Sequence, residues 1–390
     1  MTVMGRLKSI GVICASTLVA LAAGEAALRL LDLRFSDSFY EFDFQMGWHL
    51  RPGARGWQRT EGEALVEINS QGMRDRERSL AKAPGTYRVA LLGDSFTEAT
   101  QVDLEKTFGG LLEGRACAGK GRLEALNFGV SGYGTAQELA VYRQQAAQFS
   151  PDAVMLVFFA GNDLYNNVRE LNPSNADAAP YYRLDPDGSL SAEAPFARSG
   201  GPGNIASWLR NQYAFVHANL RVAQIATEAY YQSGLAQARG AQRALLTREY
   251  GEDYLEWLAY APPIDEKMRE SWLVTEQLIR QFAAEVEADG RRFLLVLANA
   301  PVQVLPDPAD RIHFERRFAL PAIDYADLRL KAFAEAQGIE VVWLAEALRA
   351  VAEEQQILLH GFGARKGIGH WNEAGHRVVA DRLALAVCGD

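Results

Sequence analysis

The sequence predicts an α/β sandwich built on a parallel sheet of five strands. Two observations carry that expectation. Five short apolar runs recur along the chain: Tyr87–Leu92, Leu123–Gly129, Ala153–Asp163, Arg292–Pro301 and Ile339–Leu344. Continuous apolar runs of this length suit strands buried on both faces. Helical patterns separate them, around Phe108–Leu112, Ala136–Phe149 and Trp272–Ala288. Strands that alternate with helices favour parallel pairing, and open sheets of that kind bind ligands at the carboxyl ends of their strands.

The bulk properties agree with such a fold. The chain has 390 residues, 48% of them hydrophobic and 23% charged, enough for a full core. Its formal net charge is −9, from 40 Lys and Arg against 49 Asp and Glu. A surface of that sign repels a phosphate backbone, so no nucleic-acid partner is expected.

Taken in order, residues 1–31 come first and differ in kind. Arg6 and Lys8 precede an apolar stretch from Ser9 to Gly24 that continues through Leu31. About 20 apolar residues suffice to span a bilayer as a helix. Glu25 interrupts the run, and Arg29 stands one turn later to pair with it. The favoured reading is an uncleaved membrane anchor. The competing reading is a signal segment cleaved near Ala22, Ala23 and Gly24, which would release a secreted protein. Basic residues before the helix, with Asp32, Asp37 and Asp43 after it, put the rest of the chain on the extracytoplasmic, periplasmic side.

Residues 32–80 read as a linker and a small β-extension. Turn signals stand at Pro52-Gly53, Glu61-Gly62 and Ser70-Gln71-Gly72. No chemistry is expected of this stretch. Residues 81–390 form the main domain, interrupted by an insertion at about 164–290. Within the insertion, Tyr181–Glu193 reads as a hairpin turning at Asp187-Gly188, and Ile205–Gln232 and Ala238–Ala259 read as helices. The insertion is either a helical lid or an enlargement with no part in binding.

Four short motifs fall after apolar runs or before the last helix. "GDSF" sets Ser95 just past the first strand. "NFGVSGYGT" follows the second, with glycines that let backbone N–H groups approach a ligand. "AGND" brings Asn162 to the end of the third. "GHWNEAGH" puts His370 on a loop before a final helix that Asn372 caps. Any one of these is a weak signal, but the ordered set is specific. There is no HExxH, no paired CxxC and no Asp-rich loop, so neither a metal nor a cofactor is expected. His360 and His376 read as structural.

The set resembles the SGNH (GDSL-type) hydrolase family, membrane-anchored bacterial type, over residues 87–163 and 290–388. The resemblance implies a three-layer α/β/α sandwich and hydrolysis or transfer of acyl esters. It implies Ser95 as nucleophile and His370 as general base. The N–H groups of Ser95 and Gly132 and the side chain of Asn162 become the oxyanion hole. An anchored, extracytoplasmic enzyme of this class is expected to act on O-acyl esters, O-acetyl above all, of envelope or exported polysaccharide. A lipase acting on bilayer lipids would instead need a broad apolar mouth.

One position departs from the family pattern. Its usual Asp three residues before the catalytic His is here Gly367. Three readings stay open: a Ser-His dyad held by a backbone carbonyl, a carboxylate reaching in from elsewhere, or a degenerate site. The last makes the chain a non-catalytic carbohydrate-binding or assembly module. If the strand order is 2-1-3-4-5, the first and last helices share a face, and Cys117 and Cys388 are both expected at the sheet's amino-terminal end. A disulfide between them is expected in an oxidising compartment, the alternative being two independent thiols.

Overall fold

A computed structural model describes residues 3–31, 39–43, 45–172, 179–193, 212–213, 215–217, 219–232 and 260–389. The chain opens with helix α1 (Val3–Leu30), followed by two hairpins. These are β1 (Tyr40–Asp43) with β2 (Gly47–Leu50), and β3 (Arg55–Gln58) with β4 (Ala64–Glu67). Then come β5 (Thr86–Gly93), α2 (Ser95–Glu98), α3 (Phe108–Leu112), β6 (Ala116–Cys117), β7 (Gly121–Asn127), α4 (Thr135–Gln144), β8 (Ala153–Phe159) and α5 (Asp163–Asn166). The insertion holds β9 (Tyr182–Leu184), β10 (Leu190–Ala192) and α6 (Arg221–Gln232). After it follow α7 (Glu266–Ala288), β11 (Arg292–Ala298), α8 (Pro308–Phe318), α9 (Tyr325–Ala336), β12 (Glu340–Trp343), α10 (Leu344–Gln355) and α11 (Glu373–Cys388).

The central sheet runs β12-β11-β8-β5-β7-β6. Its five long apolar strands are parallel, in the order 2-1-3-4-5. The expectation of an all-parallel, five-stranded sheet needs one correction: β6 is a sixth strand, antiparallel to β7, which makes the sheet mixed. It has only two residues, too few to show any hydrophobic period.

Alternation along the strands builds two cores. Ala90 and Leu92 face one side with Leu126, Leu156 and Leu295, under α4, α7 and α9. Val89 and Leu91 face the other with Ala125, Met155 and Val296, under α3, α10 and α11. A period of two on strands buried on both faces yields three layers. The first and last of these helices therefore share a face. Cys117 and Cys388 are joined by a disulfide with Cα atoms 4.9 Å apart.

Helix α1 contains a 23-residue stretch, Lys8–Leu30, that is apolar and long enough to cross a membrane, the composition of an anchor or of a signal sequence. Arg29 Nε donates to Glu25 Oε1 at 2.7 Å. The hairpin expected at Asp187-Gly188 is the β9–β10 pair. Of the two insertion helices, the described part of the first contains α6, and Ala238–Ala259 lies outside the described residues. α7 is a layer of the sandwich: Trp272, Leu278, Ile279 and Phe282 are buried against the sheet.

Candidate active site

Ser95 is placed by the turn from β5 into α2. Asp94 is the helix N-cap, its side chain accepting the Phe96 N–H at 2.8 Å. The same carboxylate takes the Asn162 Nδ2–H at 2.5 Å, which binds the end of β8 to the end of β5. An amide nitrogen has two hydrogens, so this bond fixes the direction of the second. Burial pushes the Asp94 carboxyl above its ordinary range, against the pull of the Asn162 and Phe96 bonds. Among the described residues, no acceptor meets the backbone N–H of Ser95 or of Gly132.

His370 reaches Ser95 from the other end of the chain. Its Nε2 lies 2.7 Å from Ser95 Oγ. Its Nδ1 lies 2.6 Å from Glu61 Oε2, and its backbone N–H donates to Glu61 Oε1 at 2.7 Å. A carboxylate only accepts, so Nδ1 carries the proton and Nε2 is left to accept from the serine hydroxyl. Burial works to raise the Glu61 pKa. The bonds and charge of His370 outweigh it, and Arg365 adds to them, so the carboxyl titrates below its ordinary value.

Glu61 comes from the β3–β4 turn, in the stretch expected to hold no chemistry. That expectation is corrected here, and of the three readings for His370 the structure has the distant carboxylate. Two glycines explain the substitution. Gly367 has φ +84°, a conformation in which a side chain is strained. Gly369 has φ +86°, and a Cβ there would stand 2.1 Å from Glu61 Oε1. At Gly369 the absence of a Cβ leaves the space that the Glu61 carboxylate fills.

Buried polar groups hold the histidine loop in place. Asn299, at the end of β11, accepts from Trp371 Nε1 at 3.1 Å, and its Nδ2 meets His360 Nε2 at 2.9 Å. His360 Nδ1 then donates to Gly369 O at 2.7 Å. Burial drives the His360 pKa down to about 4, so this imidazole is a neutral strut. His376 is also neutral, pushed by burial to about 3, and accepts the Phe108 N–H. Asn372 caps α11 through the Ala374 and Gly375 N–H groups.

Gly132 stands on the β7–α4 loop, its carbonyl accepting from Asn166 Nδ2 at 3.2 Å. The next residue back, Ser131, is held from two sides. Its N–H donates to buried Glu98 at 2.5 Å, and its carbonyl accepts from Trp48 Nε1 at 3.0 Å. Tyr40 OH completes the Glu98 carboxylate at 2.9 Å. The residues before the sheet thus brace the glycine loop as well as the histidine.

Ser95, Asn162 and His370 open together into a cavity of about 700 Å³, whose wall does not include Gly132. A hydroxyl, an imidazole and a carboxylate stand in series, an arrangement that lets the imidazole take the hydroxyl proton while the carboxylate orients it.

A comparison with known families matches residues 91–378 to the GDSL-like lipase/acylhydrolase family. No curated protein matches the sequence. Among solved structures, one similar fold is an α/β hydrolase enzyme from the metagenome of Lake Arreo, Spain, 16% identical, with a TM-score of 0.38, over 80% of this chain and 97% of that one. An acetylxylan esterase from Geobacillus stearothermophilus is 12% identical, with a TM-score of 0.36, over 78% and 94%. A GDSL-like lipase from Bacteroides thetaiotaomicron is 14% identical, with a TM-score of 0.31, over 77% and 87%. Likenesses this loose carry no weight on substrate.

Proposed function

The chain belongs to the GDSL-like lipase/acylhydrolase family, and from that premise we propose that it is a serine ester hydrolase or acyl transferase working through Ser95, His370 and Glu61. The observation that carries this is the unbroken series from Ser95 Oγ through His370 to Glu61, with contacts of 2.7 and 2.6 Å.

In the first step Ser95 Oγ attacks the ester carbonyl while His370 Nε2 takes the hydroxyl proton. The Oγ–C bond forms, the C–O bond to the alcohol breaks, and the proton passes from Nε2 to the departing alkoxide. In the second step a hydroxyl, of water or of an acceptor sugar, loses its proton to Nε2 and attacks the acyl carbon. The Oγ–C bond breaks and Ser95 regains its proton. Glu61 holds the tautomer and stabilises the imidazolium formed in each step. The Ser95 N–H and the Asn162 amide, both at the cavity, serve as the oxyanion hole, each worth about 3 kcal/mol in the transition state, and the Gly132 N–H, set back from the cavity wall, is the third donor that the family resemblance implies.

The site is assigned to the extracytoplasmic face, with α1 as its membrane anchor. That assignment rests on Arg6 and Lys8 preceding the apolar stretch and acidic residues following it. The expectation of O-acetyl esters of polysaccharide rests on compartment and family alone. The rival reading, a degenerate carbohydrate-binding or assembly module, drew on Gly367, and Glu61 at the imidazole removes that ground.

A serine-directed organophosphonate should label the wild-type protein and fail to label Ser95→Ala. The variant should lose at least about a thousandfold in ester turnover. Full activity in Ser95→Ala would overturn the assignment.

A further inference from the structure

We propose that the cavity at Ser95 is an acyl-chain site, and that the enzyme takes esters of medium-chain aliphatic acids, of about eight carbons, in preference to acetyl esters. This names the acyl group for the reaction proposed above and rests on that reading.

The cavity measures about 700 Å³. An acetyl group has three heavy atoms and, at about 30 Å³ each, would occupy less than a fifth of it. The remaining wall would face water. Much of that wall is apolar: Phe159, Val302, Leu305 and Phe314 line it beside the rings of Tyr165 and Tyr260. Among the described residues the lining around Ser95 has one amide, Asn162, one imidazole, His370, and two phenols, Tyr165 and Tyr260, and no Asp, Glu, Lys or Arg.

That composition decides between two occupants. A sugar ring would bring several hydroxyls into a space that offers them few donors or acceptors. Each one desolvated without a partner is unfavourable. An alkyl chain needs no partner and gains with every methylene removed from water, about fourfold in binding per CH₂ at the usual transfer value. An octanoyl group fills roughly 270 Å³ on the same scale of about 30 Å³ per heavy atom, which leaves room for part of the alcohol.

The chain is assigned to the acyl side for a chemical reason. The acyl group stays on Ser95 through both steps and gains from the apolar wall throughout. The alcohol must leave and make way for the second hydroxyl.

The test uses the full chain in detergent micelles with p-nitrophenyl acetate, butyrate and octanoate. Each kcat/KM is divided by that ester's alkaline hydrolysis rate. A second series keeps the octanoyl group and varies the alcohol. The expected result is an octanoate-to-acetate ratio of at least about 100, short of the full fourfold per methylene over six methylenes, with little dependence on the alcohol. Val302→Trp, which narrows the cavity, should lower that ratio at least tenfold. A flat profile, a preference for acetate, or selectivity that follows the alcohol overturns the proposal and leaves the esterase reading standing. Inactivity toward every ester, with no organophosphonate labelling, overturns both. The wild-type profile decides the matter even where Val302→Trp fails to fold.

Discussion

In the proposed mechanism the chemistry turns on Glu61. Its two oxygens do different work: Oε2 meets the ring Nδ1 of His370 and Oε1 its backbone N–H. Glu61→Gln keeps the shape but removes the charge, and its amide has one acceptor oxygen for two donors. The expected outcome is a fall in kcat of about 10²–10⁴ with KM little changed, read by steady-state kinetics on a small ester. A role confined to folding would instead lower thermal stability and leave the rate per folded molecule intact. Gly367→Asp in the Glu61→Gln background should not restore the rate, because φ +84° disfavours the new side chain.

At the scale of elements, the pieces before the sheet are parts of the site. The β3–β4 hairpin delivers Glu61, while β1 and β2 bring Tyr40 and Trp48 to the Ser131–Gly132 loop. Arg74 fastens this assembly to the nucleophile's helix. It is 1% exposed and donates to the carbonyls of Glu98, Ala99 and Val102 just past Ser95. Arg74→Leu would leave three buried carbonyls without that donor. The expected loss is about 3 kcal/mol or more of stability, measured by the denaturant midpoint. A shift under about 0.5 kcal/mol would mean that the extension is held by other contacts. The insertion makes a different attachment. Near α6, the Val222 N–H donates to Glu25 Oε2 at 3.0 Å and Asn219 O accepts from Arg29 at 2.5 Å, so this segment docks on the C-terminal end of α1.

Over the whole molecule, buried titratable groups shape the response to pH. His360 and His376 are held neutral, at about 4 and about 3, against an ordinary value of 6.5. The unfolded chain therefore binds protons that the folded one refuses. Stability is fully present above about pH 6.5 and is lost as pH falls toward 4, at up to about 1.4 kcal/mol per pH unit for each group. Asp327 acts at the other end. Burial raises its pKa to about 7 from 3.8, so the folded state keeps a proton that the unfolded state releases. Its contribution falls as pH rises from about 4 to about 7. Urea titrations at several pH values should show His376→Asn, which keeps an acceptor for the Phe108 N–H, flattening the acid limb. An unchanged limb would remove His376 from the account.

Much of this was legible along the chain. The five apolar runs are the five parallel strands, because strands buried on both faces must be apolar throughout. The ordered motifs lead to Ser95, Asn162 and His370 because turns at strand ends have local signatures. Glu61 left no such mark. A carboxylate beside a glycine in a hairpin reads as a turn, and its partner lies 309 residues further on. Gly367 was the one clue, and it left a remote acid as one of three readings. By itself the sequence determined the layers and brought Ser95 and His370 forward as candidates, since these follow from periodicity and short-range turn chemistry. Only the tertiary structure decided which acid meets the imidazole, how the glycine loop is braced and how wide the cavity is. Those depend on contacts between distant segments, and side-chain pattern along one segment carries no record of what packs against it.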